Sequence, residues 1–340
     1  MRVLTPSRQL LKLDANDWKI LSEIKDNARQ PLTKIAEKVH LSRSAVEYRL
    51  KQMHQEQLIT GYRTLINIHK LGYKSYHVFL DAHTPHEEKE LLARAINADY
   101  VNALILYSGR YNLEISILAK DELDFLEKYA QLVDKIHFRK DLYLILLETI
   151  SARVLPDKYI QKGQPKEKSF LTLKKKNNSS KLDLVDVKLL YSISKEAIKT
   201  YLSLAKELNV SKDALKYRLK KLEENGTILE YRPAINYSAL GLSINAVLIN
   251  LSQDTEKIKQ FENFLKNEPS VLWSARTFGY YDYLLYVISQ GLDEFHQTIN
   301  NLKKQFAELI KNYEVLFAYE EVKYEFISKG MVEELSRKLK

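Results

Sequence analysis

Lys12-Leu13-Asp14 recurs as Lys181-Leu182-Asp183, and the two stretches then run in parallel without a gap to Leu71-Gly72 and Leu240-Gly241. Between residues 12–63 and residues 181–232, 18 of 52 positions are identical. Further on, YSGRYNLEISILAKDELDFLEKYA stands over TFGYYDYLLYVISQGLDEFHQTIN at an offset of 170. Two modules of roughly 150 residues therefore fill almost the whole chain, a period too long for a solenoid and one that reads as tandem duplication. The constraint is severe: whatever the module folds into, it does so twice, and the two products must be accommodated side by side. An apolar content of 45% is enough to give each copy a real core.

Each module opens with three helical signals. Asp14 and Asp183 are candidate N-caps, with Asp17 and Asp186 three residues later near the positive end of a helix. That helix carries Ile20, Leu21 and Ile24 in one copy and Leu189, Leu190 and Ile193 in the other. A short second helix is expected around 32–38 and 201–208, with Ala36 and Ala205 small enough for close contact. Ser42 and Ser211 then cap a third helix after a turn of a few residues, which is helix-turn-helix spacing.

The third helix has two faces. Val46, Leu50 and Met53, like Leu215, Leu219 and Leu222, recur at i, i+4 and i+7 and should bury against the first two helices. The opposite face presents Arg43, Ser44, Glu47, Tyr48 and Lys51 in the first copy and Lys212, Asp213, Lys216, Tyr217 and Lys220 in the second. A short basic helix with an apolar back is shaped for a DNA major groove, and an acid such as Glu47 or Asp213 on that face can accept from cytosine N4. A wing is expected behind it, in the alternating residues 59–63 and 228–232, with Arg63 and Arg232 as phosphate contacts. Asn225-Gly226 supplies a turn able to take positive φ, whereas the first copy has Glu56-Gln57 there. The first turn is therefore expected either to have changed shape or to be less stable.

After Leu71-Gly72 the pattern becomes strand, helix, strand, strand, helix, long strand, and the second copy repeats it, with a helix over 292–310 and a last strand over 315–326. The order is βαββαβ, a ferredoxin-like split arrangement in which helices cover one face of the sheet. Its other face, apolar and aromatic, needs a second sheet, from the other copy or from another chain. The fold class is thus α+β, two winged helix-turn-helix domains each followed by a ferredoxin-like domain. The expected divisions are 1–68 and 69–150 for the first pair, a linker over 151–180, 181–237 and 238–327 for the second pair, and a C-terminal helix over 328–340 that packs on the second sheet domain or on a partner. Residues 151–180 hold eight Lys or Arg against two acids, and Lys174, Lys175 and Lys176 are expected to track phosphates.

The formal charge of +9 permits a nucleic-acid partner without requiring one. With no cysteine, thiolate metal sites, disulfides and thiol nucleophiles are excluded. The eight histidines are scattered, and no metal-ligand spacing, nucleophile with an adjacent base or phosphate-binding glycine loop stands out. No catalytic residue, metal or cofactor is therefore assigned. The opening MRVLTPSRQLLKLD and the lack of an apolar run of about 18 residues predict a cytoplasmic protein with no membrane partner.

The capped Asp-x-x-Asp helix, the Leu-Ser-x-x-Ala-Val and Val-Ser-x-x-Ala-Leu starts of the third helix, Arg-Leu-Lys, Leu-Gly, and Gly279-Tyr280-Tyr281-Asp282 followed by Tyr-Leu-Leu resemble the Lrp/AsnC (feast/famine) family of transcription regulators. The resemblance covers residues 12 to about 150 and 181 to about 327, and is strongest in the helix-turn-helix parts. It implies sequence-specific binding of double-stranded DNA, a sheet domain that dimerises, and small effectors held between such domains in higher assemblies, here with Gly109, Asn112, Gly279 and Asp282 as candidate effector contacts. Family members usually carry one module per subunit, so two in one chain imply an intramolecular pseudo-dimer that assembles further into at least a homodimer. The chain departs from the pattern at Gln57, at Ile198 where Arg29 stands in the first copy, and at Asn112. Two other readings are a scaffold that kept the frame but lost DNA binding, and an enzyme similar to the siroheme decarboxylases, whose frame is alike and which Tyr111-Asn112-Leu113 resembles.

Overall fold

The computed structural model describes residues 3–5, 10–159 and 182–339. The first module comprises α1 (Ala15–Ile24), α2 (Leu32–Val39), α3 (Arg43–Gln55), β1 (Ile59–Ile66), β2 (Lys74–Ala82), α4 (Pro85–Asn97), β3 (Val101–Ser108), β4 (Leu113–Ala119), α5 (Glu122–Val133) and β5 (Phe138–Ala152). The second comprises α6 (Leu184–Lys195), α7 (Tyr201–Leu208), α8 (Lys212–Glu224), β6 (Ile228–Ile235), β7 (Ser243–Leu251), α9 (Thr255–Asn267), β8 (Val271–Gly279), β9 (Tyr283–Ser289), α10 (Leu292–Gln305) and β10 (Ile310–Tyr324). A last helix, α11, spans Lys329–Lys338.

Alternation along the strands decides where the two sheets meet. In β2, Tyr76, Val78 and Leu80 pack under the helices of the first half, while Phe79 joins a cluster that also contains Ala246, Leu248, Leu284 and Leu316 of the second. Each sheet thus has one face under its own helices and one facing its twin. The two do not simply stack. The long strands β5 and β10 each pair within their own sheet and reach across, β5 to β8 and β10 to β3, closing an eight-stranded barrel in the order β10-β3-β4-β2-β5-β8-β9-β7. Closure removes the edges that a lone four-stranded sheet would expose.

The expected wings are not separate hairpins. β1 and β6 pair antiparallel with one another as a two-stranded ribbon in which Arg63 lies opposite Arg232. The ribbon also ties in the helical heads: Ala28 N–H donates to Tyr231 O at 2.8 Å, and, 169 positions later, Ala197 N–H donates to Tyr62 O at 3.2 Å. Arg29 donates to Ala197 O at 2.7 Å and lies over the Tyr201 ring. Buried side chains of both heads, including Ile20, Val46, Ile193 and Leu215, belong to one cluster, so the pair forms a single body.

Three expectations are corrected. The helix expected to run to 310 stops at Gln305, because Phe306 leaves the helical path and inserts edge-on against Phe261 and Phe264, and the last strand begins at Ile310. The C-terminal helix packs not on the second sheet domain but between α6 and the first half: Met331 is buried in the cluster that contains Leu189 and Ile193, Glu334 accepts from Tyr73 Oη at 2.9 Å and pairs with Lys128 at 3.2 Å, and Gly330 N–H donates to Asp99 O at 3.0 Å. The segment read as a linker is docked at its start. Arg153 donates to the carbonyls of Lys266, Glu268 and Val271, and Lys158 pairs with Glu294 at 2.7 Å. Lys174, Lys175 and Lys176 lie outside the described residues.

Candidate nucleic-acid interface

The helices α3 and α8 are positioned by the same devices. Ser42 Oγ and Ser211 Oγ each accept from the N–H three residues on, at 3.1 Å, starting the two helices alike. Their buried rows, Val46, Leu50, Met53 and Leu215, Leu219, Leu222, fix which way they face. Arg49 of α3 donates to Asp14 and Asp17, both at 2.7 Å, and Arg218 of α8 to Asp183 and Asp186 at 2.6 and 2.7 Å. The same acids form the capping boxes of α1 and α6, so one carboxylate pair starts the first helix of each head and anchors the third. The N–H of Asp17, with Arg49, holds the Asp14 carboxyl below the usual range. Burial pushes Asp183 up, but the N–H of Asp186 and Arg218 bring it below. These arginines were not among the expected site residues. Their signal was available: the same Asp-x-x-Asp and Arg, at the same spacing, in both copies.

The outward faces are built as expected. Arg43, Ser44, Glu47, Tyr48 and Lys51 are exposed on α3, and Lys212, Asp213, Lys216, Tyr217 and Lys220 on α8. Tyr48 and Tyr217 stand 63% and 69% exposed, large amphipathic side chains left in solvent at equivalent positions of both helices. The charges differ between copies. Lys216 has Asp213 at 3.8 Å and Lys220 has Glu224 at 3.7 Å, whereas Arg43 and Lys51 have no acidic partner within ion-pair distance among the described residues.

Arg63 and Arg232 are corrected as phosphate contacts. Arg63 is buried, donates to Glu321 Oε1 at 2.7 Å and lies over the Tyr324 ring; Arg232 donates to Glu230 and to Ala152 O. Both line a cavity between the ribbon and the barrel. Facing each other in the ribbon register, the two guanidiniums each require an acid of their own, which draws them inward rather than toward a phosphate backbone.

The turn after α3 kept its shape despite Gln57. Gln57 has φ 58° and Gly226 φ 71°. In each, the next N–H, Leu58 or Thr227, donates back to Met53 O or Leu222 O at 2.9 Å, closing a Schellman motif. The expected alternative of an altered turn is therefore ruled out, and the first copy carries a left-handed non-glycine residue.

The four candidate effector contacts lie on the turns joining β3 to β4 and β8 to β9, and each already has a structural partner. A Cβ on Gly279 would sit 2.3 Å from Tyr143 O, and one on Gly109 3.2 Å from Leu316 Cδ2, so both glycines admit the other half's long strand. Asn112 donates to Glu88 at 2.9 Å and Asp282 accepts from Leu251 N–H at 2.8 Å.

A family profile described as "Winged helix-turn-helix DNA-binding" matches residues 13–60 and 182–228, and one described as "Lrp/AsnC ligand binding domain" matches residues 246–327. The HTH-type transcriptional regulator LrpA of Pyrococcus horikoshii is 31% identical over 124 residues, 36% of this chain and 88% of that protein. The proline dehydrogenase transcriptional activator of Rhodobacter capsulatus is 45% identical over 60 residues, 18% of this chain and 39% of its own length. Among solved structures, the siroheme decarboxylase NirDL superposes with a TM-score of 0.63 over 96% of this chain and 98% of its own, at 15% identity, a likeness of fold across both modules.

Proposed function

The chain belongs to the Lrp/AsnC family, and on that premise we propose that it is a sequence-specific regulator that binds double-stranded DNA with both α3 and α8. The observation that carries this is the pair of exposed basic faces on heads joined through one ribbon and one core, so that a single chain presents what two copies of a one-module regulator would. The contacts assigned are Arg43, Ser44, Glu47, Tyr48 and Lys51 on α3, and Lys212, Asp213, Lys216, Tyr217 and Lys220 on α8, with the basic residues positioning the helices on phosphates and the others reading base edges.

The barrel seam makes the chain its own partner, and further pairing of chains is assigned to the outer turns, where Phe278 and Tyr280 are 67% and 62% exposed. A response to a small molecule at the turns 109–112 and 279–282 belongs to the same reading and would require Asn112 and Asp282 to exchange their present partners. Light scattering over a wide concentration range tests the assembly, and a mass of one chain at the highest concentration would remove it.

The test of DNA binding is fluorescence anisotropy against a duplex selected from a random pool and its scrambled counterpart, at several salt concentrations. The selected duplex is expected to bind tighter, with log affinity falling against log salt at a slope of about −4 to −5 if the five basic side chains neutralise phosphates. Failure of any duplex to bind better than a neutral-protein control sinks the regulator reading.

A further inference from the structure

Between the β1–β6 ribbon and the inside of the barrel lies a cavity of about 240 Å³, and on its barrel wall three side chains of the first half stand in a hydrogen-bonded line. Ser75 Oγ lies 3.1 Å from His77 Nε2, and His77 Nδ1 lies 2.6 Å from Glu114 Oε1. Ser75 and His77 are two apart on β2, so their side chains leave the same face, and Glu114 comes from the neighbouring strand β4. The network assigns the protons. Glu114 also accepts from Tyr107 Oη and Tyr286 Oη, which makes it an acceptor-only carboxylate, so the proton between it and His77 sits on Nδ1. Nε2 of the neutral ring is then an acceptor, and the Ser75 hydroxyl is the donor within its reach. Ser116 Oγ, 2.7 Å from Ser75 Oγ, supplies a further hydroxyl.

The fold does not require this line. At the equivalent places the second half has Ile244, Ala246, Leu284 and Tyr286, and its sheet closes the same barrel. Nor is the line sealed. Ser75 and His77 both line the cavity, and inside a closed barrel Ser75 keeps 6% of its surface and the His77 side chain 10%, whereas Glu114 keeps 2% and does not line it. A hydroxyl on a cavity, a base in reach of its proton and a carboxylate that orients the base are the parts of a nucleophilic relay. The Ser116 hydroxyl is placed beside the point of attack, where an oxyanion would form. A single hydroxyl makes for slow chemistry, since each such donor is worth about 10²–10³ in rate.

We propose that Ser75 is a nucleophile that takes a small acyl group from an activated ester or thioester and passes it slowly to water. Ser75 Oγ bonds to the carbonyl carbon while its proton moves to His77 Nε2. The imidazolium, held against Glu114, returns that proton to the departing oxygen or sulfur as the C–O or C–S bond breaks, leaving an ester on Ser75. Water then attacks the ester, His77 takes its proton and gives it to Ser75 Oγ, and the acid is released. One ester or thioester and one water thus yield one carboxylic acid and one alcohol or thiol. The cavity is smaller than the ~300–1,000 Å³ of pockets for drug-sized ligands, which limits the acyl group to about two to four carbons. The site is away from the turns 109–112 and 279–282, and it does not depend on DNA binding.

Phenylmethanesulfonyl fluoride, which sulfonylates activated serine hydroxyls with loss of fluoride, tests the nucleophile on the full chain, and p-nitrophenyl acetate tests the transfer. One sulfonyl group per chain is expected by intact mass, mapped to Ser75 by peptide fragmentation, with p-nitrophenolate released faster than in buffer. Both signals should vanish in Ser75→Ala and slow about 100-fold or more in His77→Gln and in Glu114→Gln, which keeps an oxygen for the tyrosine hydroxyls. Circular dichroism melts show whether each variant is folded. Should His77→Gln or Glu114→Gln melt early, Ser75→Cys gives an independent reading, because the chain has no other thiol. Its alkylation by iodoacetamide should be faster in the folded chain than in urea, as an adjacent imidazole requires and burial alone would reverse. No adduct at Ser75, an adduct that forms as fast in folded His77→Gln, or a Ser75→Cys thiol that reacts no faster folded than unfolded overturns the nucleophile. An adduct without p-nitrophenolate release overturns the transfer to water.

Discussion

The two halves of this molecule began as one sequence, and they differ most where they touch. Inside the barrel the first half holds Ser75, His77, Glu114 and Ser116, all at most 8% exposed; at the equivalent places the second half holds Ile244, Ala246, Leu284 and Tyr286. Glu114 is satisfied only because donors converge on it from both halves: Tyr107 and His77 from its own, Tyr286 from the other. Burial, with Glu114 beside them, pushes both tyrosine hydroxyls well above their ordinary pKa, so both stay protonated as donors. The reading heads, by contrast, stayed alike in frame and changed mainly in surface charge. An interior group is answerable to every neighbour, whereas a surface group is answerable mostly to solvent and to a partner. A single chain with two unequal halves can place a polar cluster on one side only, which a symmetric pair of identical subunits cannot do.

The largest effect is expected from making the first half like the second. Glu114→Leu leaves two buried hydroxyls and His77 without their acceptor and should cost about 3–5 kcal/mol in urea unfolding. Adding His77→Ala should recover at least about 1 kcal/mol, since one stranded donor is removed with its partner. A neutral Glu114→Leu would show that the asymmetry carries no stability. Next comes the ribbon. Arg63→Ala removes the charged partner of Glu321, whose side chain is 5% exposed and keeps the Val3 N–H at 3.1 Å, and should cost about 3 kcal/mol, whereas Arg232→Ala, with Glu230 at 24%, should cost about 1 kcal/mol or less. Equal losses in thermal unfolding would erase the distinction between the two arginines.

The reading helices are expected to be unequal in a different sense from the one the sequence suggests. Sequence alone favours α8, which is more basic and has the glycine turn. Asp213 and Glu224 beside Lys216 and Lys220 instead favour α3. The double variant Arg43→Ala/Lys51→Ala should weaken the selected duplex about tenfold and flatten the salt slope by about 2, with a smaller loss for Lys216→Ala/Lys220→Ala. The reverse order in anisotropy titrations would restore the sequence expectation. Smaller still is the turn: Gln57→Gly should stabilise by about 1 kcal/mol and Gly226→Gln destabilise by a similar amount, read from the shift in urea midpoint.

The caps should show no difference between halves. Asp14 and Asp183 both have folded pKa values below the model-peptide 3.8, so the stability they contribute is present above that pH and lost as pH falls through the depressed folded value. The penalty of Arg49→Gln, and equally of Arg218→Gln, should therefore shrink as unfolding is followed from pH 6 toward pH 3. A penalty that is constant with pH in one copy would mean that its arginine holds the helix by packing alone.

Much of this was legible from residues close in sequence. The capping acids, the buried rows of α3 and α8 and the alternation of β2 to β5 follow from spacings of a few residues, and the repeat supplied each signal twice. Where local pattern and tertiary contact disagreed, contact won. The amphipathic run after Leu292 looks helical to 310, but Phe306 gains more by entering the core. Glu114 was readable as an oddity, an acid in an apolar strand where the twin has Leu284, yet nothing local says that three donors surround it. From sequence Arg63 reads as a surface cation, because an alternating strand after a helix-turn-helix suggests a wing and nothing local shows that it pairs with β6.

By itself, then, the sequence determined that there are two like modules, which helices and strands each contains, and which face of each reading helix is buried. These depend on backbone propensity and on periods of 3.6 and 2 residues, which act within a few residues of each position. Only the tertiary structure decided that β1 would pair with β6, that the sheets would close into a barrel through β5 and β10, and that Arg63 and Glu114 would be interior. The physical reason is that these pairings and burials each need at least one partner more than a hundred residues away, where register, edge closure and the supply of partners are properties of the assembled pair and of neither copy alone.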